Sequence, residues 1–141
     1  MQRTASAEWS GDLKSGKGSL KVGSGAFEGP YSFQSRFETG GGTNPEELLG
    51  AAHAGCFSMA LAVALSTAGH VPTTIETTAT VTMEKTDAGF AITGIDLATK
   101  GRVPGVSAAD FQRLAEATKT GCIVSKALSA VPMRLTAELL A

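Results

Sequence analysis

At 141 residues the chain is long enough for one domain with a sizeable apolar core and needs no disulfide support. Its 43% hydrophobic and 18% charged residues are ordinary for a globular protein, and a formal net charge of -1 without a basic cluster leaves no electrostatic footprint for nucleic acid or anionic lipid. The N-terminal residues lack an apolar secretory core, and the most apolar stretch, residues 51–65, contains His53 and Ser58 and is shorter than the ~20 residues that span a bilayer. A cytoplasmic protein that neither enters nor binds a membrane is expected, and in that compartment cysteines serve chemistry, metal binding or packing rather than stapling.

In chain order, strands are predicted over residues 4–9, 19–22 and 31–37, separated by glycine-rich turns, with Gly40-Gly41-Gly42 as a flexible loop. Thr43 or Asn44 then opens a long helix. Pro45 suits its first turn, Glu46 and Glu47 suit the positive end of its dipole, and Gly69 closes it. Leu49, Ala52, Cys56, Met59 and Val63 recur at helical spacing and are the expected buried stripe.

Ile75, Thr77, Ala79, Val81 and Met83 alternate with polar residues as a half-buried strand, and Asp87-Ala88-Gly89 makes a turn. The next strand changes phase at Gly94, which predicts a bulge. Ser107 and Asp110 start a second helix with Phe111, Leu114, Ala115 and Thr118 along one side, ended by Gly121. A short helical turn from Cys122 to Leu128 and a strand through Met133, Leu135, Ala137 and Leu139 complete the chain. Strands, long helix, strands, helix, strand is an α+β order with largely antiparallel sheet, in a single domain over residues 1–141.

The two cysteines have opposite local settings. Cys56 lies inside the long helix among Ala51, Ala52, Ala54 and Gly55, where apolar surroundings disfavour a thiolate and a small buried hydrophobe is the plain reading. Cys122 follows Gly121 and opens a helical turn, where backbone N–H groups favour the anion, so local physics ranks it the better nucleophile. Thr43-x-x-Glu46 and Asn44-x-x-Glu47 both fit capping boxes, giving either acid a purely structural role. Arg36 closes the predicted strand of Tyr31, Phe33 and Phe37 and supplies a permanent positive charge near the start of the long helix.

A zinc site would need His53, Cys56, Cys122 and His70, without any paired Cys-x-x-Cys. A Cys–His hydrolase lacks a nucleophile elbow. His53 lies one turn before Cys56 and either assists proton transfer or packs.

Three segments together have a further meaning: Arg36-Phe37-Glu38, the run Thr43-Asn44-Pro45-Glu46-Glu47-Leu48-Leu49-Gly50-Ala51-Ala52-His53-Ala54-Gly55-Cys56-Phe57-Ser58-Met59, and Gly121-Cys122-Ile123-Val124-Ser125-Lys126. With Asp87-Ala88-Gly89-Phe90 and Val103-Pro104-Gly105, they resemble the OsmC/Ohr family of peroxide-reducing proteins, and the OsmC branch (osmotically inducible protein C) above all. The resemblance covers nearly the whole chain, with no departure at its key positions. It implies an OsmC-like fold with a long central helix carrying the first cysteine, in an intertwined two-fold homodimer. It implies reduction of organic hydroperoxides by thiol chemistry without a cofactor. Cys56 is then the peroxidatic cysteine, Cys122 the resolving one, Arg36 and Glu46 the polar pair beside them, and the reductant a lipoyl-type dithiol.

Arg36 reconciles this assignment with the apolar setting of Cys56, because a guanidinium favours a neighbouring thiolate. Glu46 and Cys56 are ten residues apart, about 15 Å along a continuous helix, so one site can use both only if the helix breaks or a second subunit contributes Glu46. The competing readings are a small-molecule or lipid-binding domain with incidental cysteines, and a redox sensor oxidised once without turnover.

Overall fold

Alternation of small polar and apolar residues, broken by turn-forming Asp, Gly and Ser, makes the first third of the chain a meander. The computed structural model describes all 141 residues, which resolve into two compact units, Met1–Leu48 and Leu49–Ala141. In the first unit β1 (Ala5–Ser10), β2 (Lys17–Val22) and β3 (Glu28–Tyr31) pair antiparallel in that order. The Asp12 carboxylate accepts the N–H groups of Lys14 and Ser15 at 2.9 and 3.0 Å and fixes the first turn. Gly18 on β2 leaves room for the Tyr31 ring, which a Cβ would meet at 2.3 Å, and the same ring tilts against Trp9 with centroids 5.3 Å apart.

The segment expected as a strand over 31–37 is instead β3 followed by α1 (Phe33–Phe37). Ser32 is extended and its hydroxyl accepts the Ser35 N–H, while the Ser35 hydroxyl accepts the Ser32 N–H. This reciprocal serine box starts a helix where the aromatic spacing alone read as a strand. Phe33 and Phe37 are then one helical turn apart and their rings meet at 5.0 Å. Arg36 therefore sits in the last turn of a helix, not at a strand end.

The long helix α2 (Pro45–Thr67) is unbroken and ends at Gly69, whose φ is +90°. Asn44 accepts the Glu47 N–H at 2.8 Å, so the expected cap forms there. The buried stripe is not the expected one. Gly50, His53, Phe57, Leu61 and Leu65 face inward, whereas Met59 and Val63 are 74% and 66% exposed. The helix is apolar on both sides, so spacing alone does not distinguish its faces. At 23 residues it is also long and apolar enough to cross a membrane, contrary to the expectation from residues 51–65. Here its inward stripe is instead sealed into a protein core.

That core belongs to the second unit. Phe57, Leu61 and Leu65 of α2 cluster with Ile95 and Leu97 of β5 (Gly89–Arg102), with Val103, and with Phe111 and Ala115 of α3 (Ala108–Gly121). Each buried Leu, Ile or Phe contributes about 1.5–3 kcal/mol relative to exposure. β4 (Thr74–Thr86) pairs antiparallel with β5 through the predicted bulge, since Thr82 faces Gly94 and Met83 faces Ile92. β6 (Met133–Leu139) pairs with the other edge of β5 and runs parallel to it, so the sheet is mixed rather than antiparallel throughout. Parallel neighbours need a crossover, here made by α3 and the short α4 (Ile123–Ala127). Ser107 caps α3 by accepting the Asp110 N–H, and Phe111, Ala115 and Thr118 of the expected stripe are buried.

Gly101 marks the tightest contact between β5 and α3: a Cβ there would stand 2.6 Å from the edge of the Phe111 ring, which is itself enclosed. Gly101→Ala is expected to lower stability by about 1–3 kcal/mol, read as a lower urea midpoint with an unchanged slope.

Candidate active site

Two pairs of side chains singled out in the sequence meet in space, each within its own unit. In the second unit the Cys122 thiol points at the Cys56 thiol, with the sulfurs 3.2 Å apart. Both cysteines are free. A disulfide bond is ~2.05 Å long, so the pair stands as two thiols in direct contact. Cys56 is partly exposed from α2, whereas Cys122, between α3 and α4, is 1% exposed.

Both cysteines line a cavity of about 380 Å³, together with Met59, Ala60, Val63, Gly121 and Ile123. Its walls are almost wholly apolar, which suits an alkyl group better than a small polar molecule.

Cys122 caps α4, its sulfur accepting the Ser125 N–H at 3.4 Å. Burial works against ionisation of this thiol, but hydrogen bonds from the Ser125 hydroxyl and N–H, the Cys56 thiol and the Val124 N–H outweigh it and hold the thiol below the ordinary cysteine value. The Ser125 hydroxyl lies 2.7 Å from Nε2 of His53, a fully buried histidine on α2, one turn before Cys56. No protein group meets the other ring nitrogen, Nδ1. Burial pushes the His53 pKa down, so the ring is neutral at pH 7.

In the first unit Arg36 and Glu46 form a forked ion pair. Arg36 Nη2 donates to Glu46 Oε1 at 2.7 Å, and Nε donates to the same oxygen at 3.1 Å and to Oε2 at 3.3 Å. Glu46 is therefore not held by a capping role. Glu47 instead takes the cap, with its N–H on Asn44 and its carboxylate accepting from the Thr43 hydroxyl at 2.6 Å. The Arg36 guanidinium lies 5.3 Å from the Phe37 ring centroid. Beside it is a cavity of about 230 Å³ lined by Trp9, Leu13, Tyr31, Phe33 and Phe37.

No three His, Cys, Asp or Glu side chains converge as a metal-ligand set, so His53, Cys56, Cys122 and His70 do not form the zinc site considered from the sequence. Ser125 is the residue that the sequence did not single out. Its only local signal is its place three residues after a cysteine that opens a helix.

A family model described as OsmC-like protein matches residues 38–136. The chain belongs to the OsmC family. It is 50% identical over 131 residues to the protein named Peroxiredoxin OsmC from Escherichia coli, covering 92% of each chain, and equally so to that of Shigella flexneri. Its fold matches the organic hydroperoxide resistance protein OhrB of Bacillus subtilis, with a TM-score of 0.73 at 24% identity over 97% of this chain and 98% of that one. It also matches an OsmC-like protein from Mycoplasma pneumoniae, with a TM-score of 0.77 at 14% identity over 100% and 99% of the two chains. The α+β architecture with its long cysteine-bearing helix is thus the OsmC fold.

The buried histidine has a measurable consequence. An unfolded chain takes up a proton on His53 near the ordinary value of 6.5, while the folded chain resists protonation to lower pH. Its contribution to stability is therefore complete above pH 6.5 and is lost as pH falls through the depressed folded value, by at most about 1.4 kcal/mol per pH unit. Urea unfolding is expected to show the native chain losing stability relative to His53→Gln as pH falls, so that its advantage is largest at pH 7.5 and shrinks toward pH 5.

Proposed function

We propose that the chain is a thiol peroxidase that reduces organic hydroperoxides, alkyl or lipid, to alcohols, working as one catalytic domain per subunit. The observation that carries the reading is the 3.2 Å contact between a partly exposed and a sealed cysteine thiol beside an apolar cavity. The 50% identity to a protein named Peroxiredoxin OsmC supports it.

The proposed cycle has three steps. Cys56 thiolate attacks the hydroxyl oxygen of the hydroperoxide, the O–O bond breaks, and the alkoxide leaves and takes a proton to give the alcohol. The Cys122 sulfur then attacks the resulting Cys56 sulfenic acid, forming the disulfide and releasing water. A dithiol, of lipoyl type in this proposal, reduces the disulfide by exchange and is itself oxidised to a disulfide. A reducing compartment sustains such a cycle, and the cytoplasm is the proposed location.

Arg36 is proposed to polarise the peroxide oxygens and favour the Cys56 thiolate, with Glu46 holding the guanidinium in place through their forked ion pair. Because α2 runs unbroken through both Glu46 and Cys56, ten residues separate them by about 15 Å along its axis. We therefore infer a two-fold homodimer in which the Arg36–Glu46 pair of one subunit serves the cysteines of the other. The outward Met59 and Val63 on α2, together with the 79% exposed Ile123, support a second copy as their cover.

Cys56→Ser is expected to abolish alcohol formation from an organic hydroperoxide and a dithiol, followed by chromatography of the products. After one equivalent of peroxide, mass spectrometry should find a Cys56–Cys122 link in the native chain and a Cys56 sulfenic acid in Cys122→Ser. Full turnover by Cys56→Ser sinks the enzyme reading, and oxidation without turnover under any dithiol favours the sensor. Arg36→Ala is expected to lower kcat/KM on the order of a hundredfold. Sedimentation should find a dimer, and a fully active monomer would remove the shared-site model.

A further inference from the structure

The peroxidase cycle needs a sulfur at position 122 that attacks well and departs well, yet this sulfur is buried. The groups around it form an ordered chain. His53 Nε2 lies 2.7 Å from the Ser125 hydroxyl, and Ser125 in turn donates its N–H to the Cys122 sulfur at 3.4 Å, while its side chain works to lower the pKa of that thiol. His53 and Ser125 are 0% and 3% exposed, so water does not compete for these bonds.

The direction of the chain follows from the ring's other nitrogen. No protein group meets Nδ1. A proton there would be a buried donor with no protein acceptor, whereas a proton on Nε2 is satisfied by the Ser125 oxygen and leaves only a lone pair bare. Nε2–H therefore donates to Ser125. The serine proton is then left for the Cys122 sulfur, the direction in which the Ser125 side chain lowers the pKa of that thiol.

We propose that Ser125, oriented by His53, is a positioning residue for Cys122, stabilising its sulfur as the anion both when it closes the disulfide and when it is released from it. The kinetic consequences rest on the thiol-peroxidase reading; the ionisation of Cys122 does not. In closure, the Cys122 sulfur attacks the Cys56 sulfenic sulfur, the S–O bond breaks, and the departing hydroxide combines with the proton given up by Cys122 to make water.

In reduction, one thiolate of the dithiol attacks the Cys56 sulfur, the more exposed of the two that line the apolar cavity. The S–S electron pair passes to Cys122, where the Ser125 hydroxyl and N–H receive the anion. A leaving thiolate stabilised in this way departs faster. The second thiol of the reductant then displaces Cys56 and closes its own disulfide, and the two protons of the dithiol end on the two protein thiols.

The test begins with Cys122 ionisation, read by thiolate ultraviolet absorbance in a Cys56→Ala background. The titratable and charged groups near it are then His53 on α2 and, lining the cleft that Ser125 shares, Lys119 of α3 and Lys126 of α4. Adding Ser125→Ala or His53→Leu is expected to move the ionisation upward by about one pH unit. His53→Gln, which keeps an N–H donor near the Nε2 position, should restore it.

Nitrogen NMR of the native protein should find the His53 proton on Nε2, which decides the point even if His53→Leu fails to fold. With an organic hydroperoxide, quenched-flow mass spectrometry should show Ser125→Ala forming the sulfenic acid at the native rate and closing the disulfide about tenfold more slowly. Unchanged Cys122 ionisation in Ser125→Ala, or a proton on Nδ1, overturns the inference. If the native chain forms no sulfenic acid, the peroxidase reading fails while the ionisation still decides the role of Ser125.

Discussion

Two sulfurs from distant parts of the chain can touch only if the elements carrying them are each fixed by something other than the sulfurs themselves. The 3.2 Å approach of Cys122 to Cys56 imposes that constraint on the second unit. On one side α2 is anchored by Phe57, Leu61 and Leu65, which enter the core from the face opposite Met59 and Val63. On the other, α3 is anchored by Phe111 and Ala115, and its close approach to β5 depends on the missing side chain at Gly101. Thiol geometry is thus an outcome of apolar packing, as expected for groups too weakly interacting to organise their own surroundings.

The same packing separates the two cysteines chemically. Both line an apolar cavity, but Cys56 is partly exposed, whereas Cys122 is withdrawn from solvent and supplied with hydrogen bonds. One sulfur therefore has access and the other has stabilisation. The proposed cycle assigns the encounter with peroxide to the first and the exchange of electron pairs to the second. The forked Arg36–Glu46 pair is built by a separate local device, the serine box that turns residues after Ser32 into a helix. Neither pair requires a long flexible loop to bring its members together.

Much of this was legible in the sequence. Alternation at Ile75 to Met83 and the phase change at Gly94 specified β4 and the bulge, because one buried sheet face leaves a period of two. Asn44, Pro45 and Gly69 marked the helix ends by chemistry that operates within a few residues. The errors came where two periods fit equally well. Tyr31, Phe33 and Phe37 satisfy a strand as readily as a helix, and the hydroxyls of Ser32 and Ser35 decided between them. The inward face of α2 was misread because both faces are apolar, and only the tertiary partner distinguishes them. Parallel pairing of β5 with β6 has no signature within either strand, since it depends on how the α3–α4 crossover between them packs. Ser125 was invisible for the same reason: its partner His53 lies 72 positions earlier.

The contact between the sulfurs has one more effect. The chain between Cys56 and Cys122 is a long excursion through β4, β5 and α3 that begins in one packed helix and ends beside it. A covalent link between the two sulfurs would close that excursion into a ring and remove much of the freedom of the unfolded chain, worth roughly 4 kcal/mol for a loop of this size. The oxidised and reduced forms would then differ in resistance to unfolding as well as in reactivity. A protein turning over peroxide would spend part of each cycle as a tethered, more durable fold and part as an untethered one, so that oxidising load itself hardens the population against heat and proteolysis.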